Sequence, residues 1–252
     1  MIRRVGLGVL IAAVMALLAA PTGAGAAVLY DQTANPSGGS HGSNEYNSPN
    51  EGWDDQIADD FTVPPGQSWQ ISHVDVLGSV GSSPTPPSSV NVFLYANAGT
   101  LPGTELFHET GIAATGQPNY SIPLIGAPDL APGTYWVSVQ QVGAELASGS
   151  WSWSETSTVS GNPAAWRNPG GSAGTSCSDW GTLAACLSLV SNPDELFKLS
   201  GTAAPFPPPP GPIPASGQRA AALASCKKRA KKHNWSKKRL KKCKRKANLL
   251  PV

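Results

Sequence analysis

Gln56-Ile57-Ala58-Asp59-Asp60-Phe61-Thr62-Val63, then Pro64-Pro65-Gly66, then Trp69 to Leu77: this stretch decides the fold. Two short runs of mixed apolar and polar residues flank a cluster of turn formers, which is the pattern of β-strands rather than helices. Outward from it the pattern repeats at Val90 to Ala96, Thr134 to Val142, Ser150 to Glu155 and Glu195 to Gly201. In Thr134 to Val142, Tyr135, Val137 and Val139 share one face, and Trp136, Ser138 and Gln140 the other. Val90, Val92 and Leu94 likewise alternate with Asn91, Phe93 and Tyr95. Pro102-Gly103 and Pro132-Gly133 read as further turns. No stretch of this region keeps a helical period. The reading is an all-β domain over residues 28–202, a jelly-roll-like β-sandwich.

Charge divides the chain. All 16 acidic residues precede residue 203, together with only four cations, Arg3, Arg4, Arg167 and Lys198. The other 14 Lys and Arg fall between Arg219 and Lys246. An acidic body therefore carries a cationic tail, 219–252, across a proline-rich linker, 203–218, in which Pro207 to Pro210 favour extended polyproline II. At the other end, Arg3 and Arg4, the apolar run Val5 to Ala20, and Ala24-Gly25-Ala26 have the form of a signal peptide over 1–27. An uncleaved membrane anchor is the competing reading, for which the run is short. The expectation is an exported protein, extracellular and associated with the cell envelope, with no transmembrane anchor in the mature chain.

In an oxidising compartment four cysteines suggest two disulfides. Local pairing, Cys177 with Cys186 and Cys226 with Cys243, is the economical choice among three. A metal site would need CxxC spacing or clustered histidines.

The tail repeats with an offset of 17: Leu223, Cys226 and Ala230 recur as Leu240, Cys243 and Ala247. Each triplet falls on one helical face, leaving the remainder to Lys227, Lys228, Arg229, Lys231, Lys232, Lys237, Lys238, Arg239, Lys241, Lys242, Lys244, Arg245 and Lys246. Ser236 reads as an N-cap and Trp235 with Leu240 as a hydrophobic staple. The prediction is a basic αα-hairpin closed by Cys226–Cys243, a disulfide contributing about 3 kcal/mol in the chain-entropy model. Such a device suits an anionic cell-envelope polymer or lipid; extracellular DNA matches on charge alone. A solvated tail serving only solubility is the bland alternative.

The run Ala58-Asp59-Asp60-Phe61-Thr62-Val63-Pro64, with Leu196 to Thr202 as a last strand, resembles a family of bacterial secreted β-sandwich modules that carry an "ADDF" strand. Many of these end in PEP-CTERM-type sorting tails. The resemblance implies an extracellular β-sandwich of unassigned molecular function. The Cys/Lys tail, which is similar to tails on exported proteins of high-GC Gram-positive bacteria, departs from that pattern.

For chemistry, five tryptophans are the candidates for stacking on a glycan or partner protein: Trp53, Trp151, Trp153, Trp166 and Trp180. Trp151 and Trp153 alternate with serines, so they face either a ligand or the core. Asp54, Asp55, Asp59 and Asp60 crowd into seven residues and are candidates for a structural calcium ion, although alternation sends Asp59 and Asp60 to opposite faces. No other cofactor is implied. Two G-x-S-x-G matches, around Ser40 and Ser172, lack the strand and helix of a nucleophile elbow. A non-catalytic binding module is the preferred reading, and a secreted hydrolase of glycans or esters the alternative.

Overall fold

The computed structural model describes residues 26–81, 89–144, 150–191, 193–207 and 217–250. Most of the expected signal peptide and of the linker lies outside the described residues. The chain divides at Ala204/Pro205 into two compact units.

The first unit begins β1 (Ala27–Asp31), β2 (Pro36–Gly42) and β3 (Asn44–Tyr46), then a 3-10 turn, Glu51–Trp53. β4 (Gln56–Val63), β5 (Gln67–Val76), β6 (Gly78–Val80), β7 (Ser89–Ala98) and β8 (Leu101–Ile112) follow. Next come β9 (Tyr120–Pro123), β10 (Asp129–Leu130), β11 (Gly133–Ala144), β12 (Trp151–Thr156), β13 (Ala165–Arg167) and β14 (Gly181–Thr182). A short helix α1 (Leu183–Leu187), β15 (Asp194–Glu195) and β16 (Phe197–Pro205) complete it.

These strands form three sheets. The largest runs β14-β13-β4-β11-β7-β8, with β3 on β11; the second runs β1-β16-β5-β10, with β9 on β5; the third is β15-β12-β2, with β6 on β12. Every described register is antiparallel except that of β3 on β11. The unit is thus mostly β, with several antiparallel sheets. Five of the six sequence-read strands are present as single strands; the sixth, Glu195 to Gly201, breaks at Leu196 into β15 and β16, which lie in different sheets. The turn between β4 and β5 is the one expected: Gln67 N–H donates to Pro64 O at 3.3 Å, and Gly66 supplies the positive φ of +79°. Pro102-Gly103, by contrast, lies inside β8, and the chain reverses at Gly99-Thr100.

One apolar core is shared by the three sheets. Ile57, Phe61 and Val63 of β4 meet Val90, Val92 and Leu94 of β7 and Val137 and Val139 of β11. Trp69, Ile71, Val74 and Val76 of β5, Trp151 and Trp153 of β12, and Phe197 and Leu199 of β16 join them. The inward positions of β5 shift phase between Ile71 and Val74, so the strand buries both halves although strict alternation fails.

The second unit contains α2 (Gly217–Lys232) and α3 (Lys237–Ala247). Asn234, with φ +45°, ends α2, a common role for asparagine just past a helix. Ser236 Oγ accepts from Arg239 N at 3.4 Å as the N-cap of α3. Cys226–Cys243 closes the hairpin, with an S–S distance of 1.99 Å. No described helix is long and apolar enough to cross a membrane.

Candidate functional site

Alternation gives the largest sheet a second face, turned away from the core. On it stand Trp136, Ser138 and Gln140 of β11, Asn91, Phe93 and Tyr95 of β7, Gln56 and Ala58 of β4, and Arg167 of β13. Trp136, Tyr95, Ala58 and Ala165 form a separate apolar cluster there, flanked by Phe93, Leu101 and Trp180. Trp136 lies opposite Tyr95 and donates Nε1–H to Asn97 Oδ1 at 2.9 Å. Tyr95 crosses β11: its hydroxyl accepts from Gln56 Nε2 (3.1 Å) on β4 and from Arg167 Nη2 (3.3 Å) on β13. Burial, the largest influence, pushes the Tyr95 hydroxyl up to about 12, so it stays protonated at neutral pH.

Arg167 is held by Gln56, whose Oε1 accepts from Nε (2.9 Å) and Nη2 (2.6 Å). Pairing of Trp166 with Gly181 brings Arg167 beside Trp180, and the guanidinium carbon sits 4.4 Å from the Trp180 ring centroid. Trp180 meets Tyr95 edge-on at 5.5 Å, and Phe93 stacks on Tyr95 at 6.1 Å. Trp180 is fixed by the Cys177–Cys186 disulfide. Gly181 packs against it so closely that an added Cβ would lie 2.7 Å from Cys186 Sγ and 2.9 Å from Cys177 Sγ. Half-buried Trp180, Arg167 and Phe93 thus make a preorganised aromatic and cationic platform.

The other candidate tryptophans stand elsewhere. Trp151 and Trp153 are fully buried and Trp166 nearly so, which corrects their assignment as ligand-stacking residues: they fill the core. Their indoles are satisfied internally, Trp151 Nε1 by Pro118 O (2.8 Å) and Trp153 Nε1 by Leu196 O (3.0 Å). Trp53 is 42% exposed on its 3-10 turn, with no ring contact to another described aromatic. Sequence reasoning missed Arg167, Gln56 and Tyr95 as site residues. The available signal was the rarity of cations in the body.

The four clustered aspartates separate. Asp54 Oδ1 accepts from Tyr46 N (2.8 Å) and Asp55 Oδ1 from Asn44 N (2.7 Å). Asp60 points to Asn162, accepting at Oδ2 from its N (3.1 Å) and Nδ2 (2.6 Å). Asp59 turns the opposite way, its Oδ2 accepting from Gln32 Nε2 (2.9 Å) and Glu195 N (2.6 Å). Among the described residues no group of three or more Asp, Glu, His or Cys is arranged to hold a metal ion. Asp54, Asp55, Asp59 and Asp60 therefore do not form the candidate calcium site; each instead accepts a hydrogen bond from another segment of the chain.

Asp59 instead belongs to a buried carboxyl group cluster that the sequence did not reveal. β15 brings Glu195 directly opposite Glu155 on β12. Asp59, Asp194 and Glu195 are fully buried, and neither Glu195 carboxyl oxygen has a hydrogen-bond partner among the described residues. Burial first, and the neighbouring acids second, hold Asp59 and Glu195 well above the usual carboxylate range. Burial also raises Asp55, to about 7. At the cluster's edge His41 Nδ1 is 2.7 Å from Glu155 Oε1.

Two serine arrangements bear on hydrolysis. Ser40 Oγ pairs with Ser79 Oγ at 2.9 Å, while His41 turns to Glu155. On the second sheet, Ser121 Oγ donates to Asp75 Oδ1 (2.6 Å) and lies 2.7 Å from His73 Nε2. That order is inverted relative to a nucleophile–base–carboxylate relay, because the carboxylate engages the serine instead of orienting the histidine.

In the tail all thirteen predicted surface cations except half-buried Lys244 are exposed, and none has an ion-pair partner among the described residues. Leu240, Cys243 and Ala247 follow the seam, so α3 is cationic everywhere else. Arg239 stacks on Trp235, 4.6 Å from its centroid. Two disulfides and no free cysteine match an oxidising, extracellular-type environment. No protein-family model matches the chain, and no curated protein does.

Proposed function

We propose that the protein is a secreted, non-catalytic, jelly-roll-like β-sandwich module retained at an anionic cell envelope by its stapled basic hairpin. The body, in this reading, binds an extracellular glycan or partner protein. The observation that carries it is the tail: fourteen cations on two cross-linked helices that contain no acidic residue. Holding so many like charges together costs stability, and the disulfide offsets that cost. Near an anionic surface each Lys or Arg contributes about 1 kcal/mol, so a handful in contact is enough for retention.

Co-sedimentation with purified envelopes across a salt series tests it. The full chain should pellet in dilute buffer and be released as salt rises toward about 0.5 M, because exposed charges are screened. A chain ending at Thr202 should stay in the supernatant. If the shortened chain pellets equally and resists salt, retention belongs to the body and the reading fails.

A further inference from the structure

The body has two described cations. Lys198 is paired with Asp75 at 3.1 Å, but Arg167 has no acidic partner among the described residues although it belongs to a unit holding every acidic residue of the chain. Its Nε and Nη2 are taken by Gln56 and Tyr95, and its Nη1 has no hydrogen-bond partner among the described residues. Glu105 of β8, across from Tyr95, has its Oε1 2.6 Å from His108 Nδ1. A half-exposed guanidinium without a counter-ion, stacked on an indole, is built to receive an anion.

We propose that the outer face of the largest sheet, centred on Arg167 and Trp180, binds a carboxylate-bearing glycan. This rests on the reading of the body as a binding module and names its site and ligand class. Arg167 takes the carboxylate through its outward N–H groups, while Gln56 and Tyr95 fix its plane. Trp180 and Phe93 offer apolar ring surface to the C–H face of the adjoining sugar. Asn97, exposed on the rim, is at hand for hydroxyls. The shallow mixture of flat aromatics and amides fits a pyranose chain better than an acidic peptide, which would need several cations where this face has one.

The test is calorimetric titration of the full chain with polygalacturonate at about 0.5 M salt, where screening over roughly 4 Å suppresses the tail's contribution. Binding should persist there, fall about tenfold or more in Arg167→Gln, and fall comparably in Trp180→Ala. Arg167→Lys, which keeps charge but loses the planar fork, should lie between and checks that loss does not reflect misfolding. The methyl-esterified polymer should bind weakly and equally to wild type and Arg167→Gln. No binding by wild type, or binding unaffected by Arg167→Gln, overturns the proposal. So does poly-glutamate binding that matches polygalacturonate in strength and in its dependence on Arg167. Salt-sensitive envelope retention should be unchanged in all three variants, so the tail reading stands or falls separately.

Discussion

In the body, 25 buried side chains make one core, and acidic groups are folded inside it without cations beside them. Among the described residues of the tail only Cys226 and Ala247 are buried, and all the cations of its thirteen-residue basic set but half-buried Lys244 are exposed. The two units therefore rest on different physics. The body is held by removal of apolar area from water, enough to carry Asp59 and Glu195, whose carboxyls burial holds well above the usual range. The tail has almost no area to bury and depends on a covalent link that restricts its unfolded state. The lesson is that disulfides here are unequal: Cys226–Cys243 substitutes for a core, whereas Cys177–Cys186 positions one loop beside a core that already exists.

The sharpest way to break this contrast is to remove core area. Trp153→Ala should cost the body about 3–5 kcal/mol, the usual range for a buried aromatic, read from urea unfolding followed by the remaining tryptophans. A cost below about 1 kcal/mol would mean that the core is not what holds the body. Next, replacing Cys226 and Cys243 by serine should cost the hairpin about 3 kcal/mol and lower helical circular dichroism. Added salt should recover part of it by screening the cations. Unchanged helicity in dilute buffer would show that the seam alone suffices.

The smallest effect concerns pH. Folded-state values raised above those of the unfolded chain favour the protonated form in the fold. That contribution is fully present below the unfolded range near 4, and is lost as pH rises through the folded values, about 7 for Asp55. The melting temperature should therefore decline between about pH 4 and pH 7, and Glu195→Gln should flatten part of the decline. A melting temperature rising over that interval would contradict neutral carboxyls in the core.

How far the sequence reached depended on range. The two helices of the tail, the Ser236 cap and the cross-link were legible because they are set within about 30 residues by local geometry. Five strands were legible as short runs bounded by turn residues, and most of β16 as the end of a sixth run. β2, Pro-Ser-Gly-Gly-Ser-His-Gly, was not, since nothing apolar marks it and only its pairing with β12 makes it a strand. β8 was obscured by Pro102-Gly103 and by its charged, mostly exposed residues. The tryptophans of β12 were ambiguous because serine alternation shows that two faces differ without showing which is wet. The cluster of Asp59 with Asp194 and Glu195 could not be read at all, because its members meet across some 135 residues of sequence.

The cross-linked hairpin has one more property. Cys226 and Cys243 are equivalent positions of the two repeat units, and the helices run in opposite directions, so an approximate two-fold axis passes through the sulfur–sulfur bond. Rotation about it exchanges Lys227, Lys228 and Arg229 with Lys244, Arg245 and Lys246. Under the proposed envelope-binding role, a polymer laid across that axis would meet the same six cations whichever of its ends leads. The tail would then grip a chain without reading its polarity.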